Sequence, residues 1–200
     1  MKVTEKSNYI FSNTDLRKLI VPLVFEQALA ITVGMADTMM ISSVGEAAVS
    51  GVSLVDMLNM LIFSVLSALA TGGTVVVSQN LGAGKRKEAC KAAKLVLYTV
   101  LVFSVLMAVA VILFRKGLLA LFFGKIEVEV MEAALIYLVI SALSFPVLGI
   151  YNACAALFRA MGRTNITFIV SIVGNVINVA GNAFLIFGMH MGVAGVAIPS

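Results

Sequence analysis

An aspartate, Asp37, lies between apolar residues in the stretch "VGMADTMMISSVG". The run before it, "LIVPLVFEQALAITVGM", approaches the length of a membrane-spanning helix. A charged aspartate in the middle of such a helix costs about 2.5–3.5 kcal/mol even on lenient insertion scales. A bound cation, a proton or a water-filled cavity would offset that cost, so Asp37 is a candidate cation-binding or proton-binding residue.

A row of polar side chains is the second feature that could do chemistry. In "SIVGNVINVAGNAFLIF", Ser171, Asn175, Asn178 and Asn182 are separated by four, three and four residues, which places them on one helical face. Such a row either holds helices together through interhelical hydrogen bonds or forms the polar wall of a cavity. Three asparagines within two turns exceed the usual needs of packing, and this favours the cavity.

The asparagine row supplies the oxygen atoms that a lone carboxylate lacks. Hard cations prefer oxygen ligands in proteins, and we extend this rule from Ca²⁺ and Mg²⁺ to Na⁺. One candidate is therefore Na⁺ bound by Asp37, Asn178 and Asn182. Protonation of Asp37 is the other candidate, because either event neutralises the carboxylate.

Two further acids lie in apolar surroundings. Glu26 precedes Asp37 by eleven residues, which is almost three helical turns, so the two side chains share a face. Glu26 is either a carboxyl near the interface, bonded to a neighbour, or a cavity-lining residue together with Gln27. Asp56 falls near the outer start of the second apolar segment, where water would solvate it.

The elements that position these residues are predicted from composition. Of the 200 residues, 61% are hydrophobic and only 12% are charged, whereas a soluble domain is nearer a quarter charged. With a mean hydropathy of +1.09, the composition predicts an all-α, polytopic membrane bundle. Basic residues are sparse and separate the apolar runs, so no nucleic-acid partner is expected. The single histidine has no nucleophile near it in sequence, and we expect no enzymatic activity.

Five segments are long and apolar enough to cross a bilayer, and a sixth apolar stretch follows them. The predicted spans are 19–41, 53–77, 92–114, 131–157 and 166–187, with a partial span at 191–200. Ten helical residues rise about 15 Å, roughly half of a hydrocarbon core of about 30 Å. The sixth span is therefore expected to be incomplete within this sequence.

The basic residues of the connections predict the topology. Eleven of them fall in the N-terminal arm, the second connection and the fourth connection, against three on the other side. The positive-inside rule places the N-terminus and the "GAGKRKE" connection in the cytoplasm. That connection lacks the first glycine of a phosphate-binding loop and has no Ser or Thr after its lysine, so it is interpreted as a tight turn.

Four stretches resemble the MATE (multidrug and toxic compound extrusion) transporters of the MOP superfamily. "VPLVFEQALAITVGMADTMMISSVGEAAVSGVSL" resembles the first span of that family, where an Asp-Thr pair precedes a glycine-containing loop. "VVVSQNLGAGKRKEA" is similar to the end of its second span, and "ALFRAMGRTNI" to its fourth-to-fifth connection. "NVINVAGNAFLIFGMHMGVAGVAIPS" is similar to its fifth span running into the sixth.

The resemblance implies an architecture and an activity. MATE proteins have twelve spans in two related lobes, so residues 1–200 would form the N-terminal six-helix lobe, and the C-terminal lobe would be missing. The family works as multi-pass proteins of the plasma membrane and exports cationic or amphipathic compounds in exchange for Na⁺ or H⁺. The implied partners are the lipid bilayer and such small compounds, and the coupling ion is the only implied cofactor.

The resemblance also assigns roles to individual positions. Asp37 takes the place of the acid in the N-terminal lobe, and Asn178 and Asn182 take its paired polar positions. Ser200 falls on the hydroxyl position of the sixth span, and Asn152 falls where some members have a cavity-lining polar residue. Some members have an aspartate in place of the amide at 182, so this chain is expected to have a one-carboxylate site.

Two alternatives to drug export stay open. A lipid-linked oligosaccharide flippase of the same superfamily would be expected to line its cavity with basic residues for a pyrophosphate headgroup. No Lys or Arg lies well inside any of the five predicted spans, which favours the drug-type transporter. An inactive, truncated membrane fragment is the other alternative, and the half-length sixth span supports it.

Overall fold

The computed structural model describes residues 13–199, and it confirms an all-α membrane bundle. The helices are α1 Asn13–Ser42, α2 Glu46–Gly82, α3 Arg86–Phe123, α4 Val128–Ala160, α5 Thr164–Ala183 and α6 Val193–Ala197, with a π-helical turn, Phe184–Gly188, after α5. Residues 13–199 contain no strand. The predicted site residue Ser200 lies outside the described residues.

The long helices extend past the apolar segments that predicted them. The predicted spans 53–77 and 92–114 correspond to α2 and α3, which have 37 and 38 residues. At 1.5 Å per residue each helix is roughly 55 Å long, which exceeds the hydrocarbon core. Hydropathy detects only the apolar part of a helix, whereas the backbone hydrogen bonds continue through polar residues at both ends.

Small residues allow α2, α3 and α4 to pack closely as one group. A Cβ atom on Gly51 of α2 would lie 2.8 Å from the Cβ of Ala133 in α4. On the other side of α4, a Cβ atom on Gly149 would lie 2.9 Å from the side chain of Ser104 in α3. Close approach at small residues is how helices gain contact area in a membrane, where lipid is as apolar as the side chains.

Helices α1 and α5 form a second group, and they contact each other far more than they contact the rest of the bundle. The hydroxyl of Thr164, the first residue of α5, donates to the backbone oxygen of Lys18 in α1 at 3.4 Å. Since both residues lie at the same end of the bundle, this contact fixes the register of the pair.

The chain turns back against α5 after the π-helical turn. Gly192 has a φ of 59°, in the left-handed region that glycine adopts without strain, and it precedes α6. A Cβ atom on Gly195 of α6 would lie 3.2 Å from the backbone carbon of Leu185. Pro199 packs against Gly181, the neighbour of Asn182, so the end of the described chain lies beside the asparagine row.

The outer surface of the bundle is apolar. On α3, the side chains of Leu95, Tyr98, Val102, Leu106 and Leu113 recur every three to four or seven residues and are 58–71% exposed. Among residues 13–199, five helices are long and apolar enough to cross a membrane. These exposed stripes are therefore the surfaces that contact lipid.

Replacing Gly51 with alanine tests the close contact between α2 and α4. The added methyl group meets the backbone of α4 within 3.0 Å, so the helices must separate. We expect Gly51→Ala to destabilise the protein by about 1–3 kcal/mol, seen as a lower thermal unfolding midpoint in detergent. Gly72→Ala is the matched control on the same helix, because a Cβ atom there has no neighbour within 4 Å. Equal midpoints for the two variants would contradict the packing described here.

Candidate functional site

A cleft of about 1020 Å³ separates the α1–α5 pair from the α2–α3–α4 group. Both walls carry polar side chains among apolar ones. Those on α1 and α5 are Gln27, Asp37, Ser171, Asn175 and Asn178; those on α2 and α4 are Asp56, Asn59, Tyr137, Ser141, Ser144 and Tyr151. The polar face predicted for α5 thus lies along a cavity.

Asp37 lies on the α1 wall, where α1 packs against α5. Its side chain is half-buried, and its Oδ1 atom accepts a hydrogen bond from Nδ2 of Asn182 at 2.7 Å. Asn182 is fully buried behind the wall of the cleft. A short hydrogen bond from a buried amide to a carboxylate is among the stronger polar contacts in proteins.

The rest of the asparagine row continues from this bond toward the other end of the bundle. Oδ1 of Asn178 lies 3.4 Å from Nδ2 of Asn182, and Nδ2 of Asn175 lies 3.4 Å from the hydroxyl of Ser171. Both contacts join residues four apart on one helix. The row thus forms two pairs on α5, and the pair that contains Asn182 reaches across to α1 through Asp37.

The Asn182 amide has one unsatisfied atom. Its Nδ2 atom faces Asp37, and its Oδ1 atom is buried without a hydrogen-bond partner among the residues that the structure describes. Such an atom costs about 1–3 kcal/mol. If the amide rotates by half a turn, its oxygen replaces its nitrogen beside the carboxylate, and the pair then presents two oxygen ligands to a cation.

The sequence predicts that Asp56 lies near the start of the second span in contact with water, and its side chain is exposed in the structure. Since α2 begins at Glu46 rather than at residue 53, Asp56 lies almost three turns inside the helix. Asp56 lines the cleft together with Asn59 and Tyr137. It is also close enough to Asp37 for the two charges to interact.

Glu26 lies in a separate polar cluster rather than in the lining of the cleft. Its Oε1 atom is 3.7 Å from Nη1 of Arg159 in α4, and its Oε2 atom lies 3.4 Å from the hydroxyl oxygen of Thr167 in α5. This cluster joins α1, α4 and α5 near the ends where α4 finishes and α5 begins. Gln27 lines the cleft, whereas Asn152 is half-buried and does not.

The family model MatE matches residues 22–184 of the chain. This chain belongs to the MatE family. Its match to "Uncharacterized transporter YisQ" of Bacillus subtilis is 31% identical and covers 94% of the chain and 44% of the relative. A match to "Probable multidrug resistance protein NorM" of Thermotoga maritima is 28% identical and covers 92% of the chain and 40% of that relative.

A solved structure of a multidrug resistance MATE family transporter in an outward-facing conformation has the same fold as the described bundle. The TM-score is 0.86 at 19% identity, over 92% of this chain and 41% of the solved one. The MatE chain thus spans less than half the length of the relatives that it matches. Members of the family are transporters rather than enzymes, and this MatE protein is a multi-pass protein of the cell membrane.

Replacing Asn182 with leucine tests the bond to Asp37 in this MatE protein. Leucine has a similar size, so the change removes the donor without opening a cavity. We expect the free energy of unfolding to fall by about 1–3 kcal/mol, because the carboxylate loses its buried donor. The control is Asn175→Leu on the same helical face, where the amide is only half-buried. Thermal unfolding in detergent measures both, and the prediction fails if Asn175→Leu is the more harmful change.

Proposed function

We propose that the chain is the N-terminal lobe of a transporter that exports cationic or amphipathic compounds in exchange for Na⁺ or H⁺. Homologues named as multidrug resistance proteins support export, and the coverage of less than half of each relative supports a second lobe. The cleft between the two helix groups would then be half of the transport pathway.

The hydrogen bond between Asp37 and Asn182 is the observation that carries the proposed ion site. The bond combines a carboxylate that faces the cleft with a buried amide whose oxygen lacks a partner. Na⁺ would bind Asp37 and the oxygens of Asn178 and Asn182, with the Ser200 hydroxyl as the further ligand implied by the family resemblance. A proton on Asp37 would neutralise the same charge without requiring the amides to rotate.

Ion binding would favour one packing of the lobe over another by its different affinity for the two states. Asp37 belongs to α1, and its amide partners belong to α5, so a bound cation would tighten that pair. Gln27 and Asn175 line the cleft and are proposed to contact the substrate. Glu26 and Asn152, which the sequence also suggested as contacts, lie outside the lining.

The residues that line the cleft also help to distinguish drug export from the alternative function, a lipid-linked oligosaccharide flippase. No Lys or Arg is present among the described residues that line it, and four side chains with a carboxylate or an amide line it from α1 and α2. Such a surface repels the pyrophosphate of a lipid-linked sugar and attracts a cation. The chemistry of the cleft therefore favours a cationic cargo.

Binding of radioactive Na⁺ to the chain in lipid nanodiscs tests the ion site. We expect Asp37→Asn to weaken Na⁺ binding by about tenfold or more, because the site loses its charge. The matched control is Glu88→Gln, which removes an exposed carboxylate paired with Lys91 outside the cleft. Wild-type protein that binds no Na⁺ at neutral pH, but releases protons on binding a cationic compound, would favour proton coupling.

Transport by the lobe joined to a C-terminal lobe tests the complete proposal. Vesicles that contain the two-lobe protein are given either a sodium gradient or a proton gradient, and efflux of a fluorescent cationic dye is followed. We expect one gradient to drive efflux and Asp37→Asn to abolish the effect of that gradient. Efflux that stays fully coupled in the variant would exclude Asp37 as the ion site, and no efflux from the wild type would support an inactive fragment.

A further inference from the structure

Basic side chains are concentrated at the turn between α2 and α3, away from the cleft. Residues 85–94 contain five of the 14 basic residues of the chain and a single acid, Glu88. The five basic side chains are all exposed: Lys85, Arg86, Lys87, Lys91 and Lys94. The positive-inside rule places this turn at the cytoplasmic surface of the membrane, where it meets lipid headgroups. The turn is therefore a positive surface that the transport proposed for the cleft does not use.

An apolar groove of about 220 Å³ lies between α2 and α3 next to this turn. Its lining residues are Leu69, Gly73, Val76, Ala92, Leu95, Val96, Thr99 and Val100. Val76 lies six residues before the end of α2, and Ala92 lies six residues after the start of α3. The groove therefore begins about 9 Å from the ends of both helices, inside the apolar part of the membrane.

The groove is open to lipid along its length. Gly73 and Val96 form its floor, where a Cβ atom on Gly73 would lie 2.5 Å from Cγ2 of Val96. Its edges are exposed, with Val76 of α2 at 50% and Leu95 of α3 at 67%. The small side chain of Thr99 leaves space between these edges. An extended hydrocarbon chain can therefore lie on the floor and contact both helices.

An ion pair places one ammonium group at the cytoplasmic end of the groove. Nζ of Lys91 lies 2.9 Å from Oε1 of Glu88. Glu88 precedes Ala92 by four residues, so it lies on the groove side of α3, one turn nearer the cytoplasm. Lys87 and Lys94 are four and three residues from Lys91 and share its face of the helix. Positive charge thus lies where a lipid in the groove would have its headgroup.

We propose that the groove and the basic turn bind one anionic phospholipid of the cytoplasmic leaflet. The lipid phosphate would lie among Lys87, Lys91 and Lys94, and part of one acyl chain would fill the groove. Basic clusters at the cytoplasmic end of membrane helices attract anionic headgroups. A zwitterionic lipid has the same chains but brings a positive group to this surface, so the site prefers a headgroup with net negative charge.

The groove distinguishes this site from the general attraction of a positive surface for anionic lipid. Charge alone gathers several lipids that exchange freely, because it fixes none of them in position. The groove adds an apolar contact of limited size beside the charge, so binding would saturate at one lipid per chain. The bound lipid would also join α2 to α3, two helices of the group that forms one wall of the cleft.

Two phospholipids with identical acyl chains test the inference on the chain in detergent. Dioleoylphosphatidylglycerol is anionic, and dioleoylphosphatidylcholine is zwitterionic. Native mass spectrometry during titration counts the lipids retained by each chain and gives the dissociation constants. We expect one phosphatidylglycerol per chain, bound about tenfold more tightly than phosphatidylcholine. Equal affinities, or a continuous series of bound lipids without saturation, would overturn the proposed site.

A lysine variant tests the role of charge at this end of α3. We expect Lys91→Gln to weaken phosphatidylglycerol binding about fivefold, because one positive charge near the headgroup is lost, and to leave phosphatidylcholine binding unchanged. The matched control is Lys116→Gln, an exposed lysine toward the other end of the same helix. Equal losses in the two variants would mean that net charge, rather than this site, controls binding, and the proposal would fail.

A variant that fills the groove tests the acyl-chain contact. Thr99 is exposed, so Thr99→Phe places an aromatic ring in the groove without disturbing the packed interior. We expect it to weaken the binding of both lipids. The matched control is Val102→Phe, at a 58% exposed position of α3 outside the groove, which should change neither affinity. If Thr99→Phe binds phosphatidylglycerol as tightly as the wild type does, the groove does not hold the lipid.

Discussion

A carboxylate in apolar surroundings must be neutralised or bonded, and the contact between Asp37 and Asn182 follows from that constraint. Lipid offers no hydrogen-bond donor at the seam between α1 and α5, and the protein supplies one there. The amide of Asn182 meets the requirement at 2.7 Å, and it ties the two helices together at the depth where the acid lies. The register of α5, its row of asparagines and the position of the cleft are all consistent with this single contact.

The division of the bundle into two helix groups decides what the cleft can hold. Small residues allow α2, α3 and α4 to approach closely, whereas α1 and α5 pair mainly with each other. Space remains between the groups, and polar side chains that would be costly in lipid face that space. The same division gives the cleft unlike walls, with an acid and several amides on the α1–α5 side and an acid among aromatic and aliphatic side chains on the other.

Periodicity predicted much of this arrangement. The spacing of Asn175, Asn178 and Asn182 indicated a common face, and hydropathy indicated five spans, because both properties are local. The position of Asp56 almost three turns inside α2 was not predicted, because a hydropathy window marks where apolar residues begin, whereas α2 begins seven residues earlier, at Glu46. The contact between Glu26 and Arg159 could not be predicted from the sequence, because it depends on how α1 and α4 meet in space.

Because α1 pairs with α5, the distance between Asp37 and Asp56 depends on how this helix pair is oriented relative to the α2–α3–α4 group. Asp37 and Asn182 belong to the same helix pair, so tilting that pair as a rigid body leaves their bond unchanged. Asp56 belongs to the other group, so the same tilt moves it toward or away from Asp37. The repulsion between the carboxylates then rises or falls with the width of the cleft, and each added positive charge alters the force that holds the walls apart.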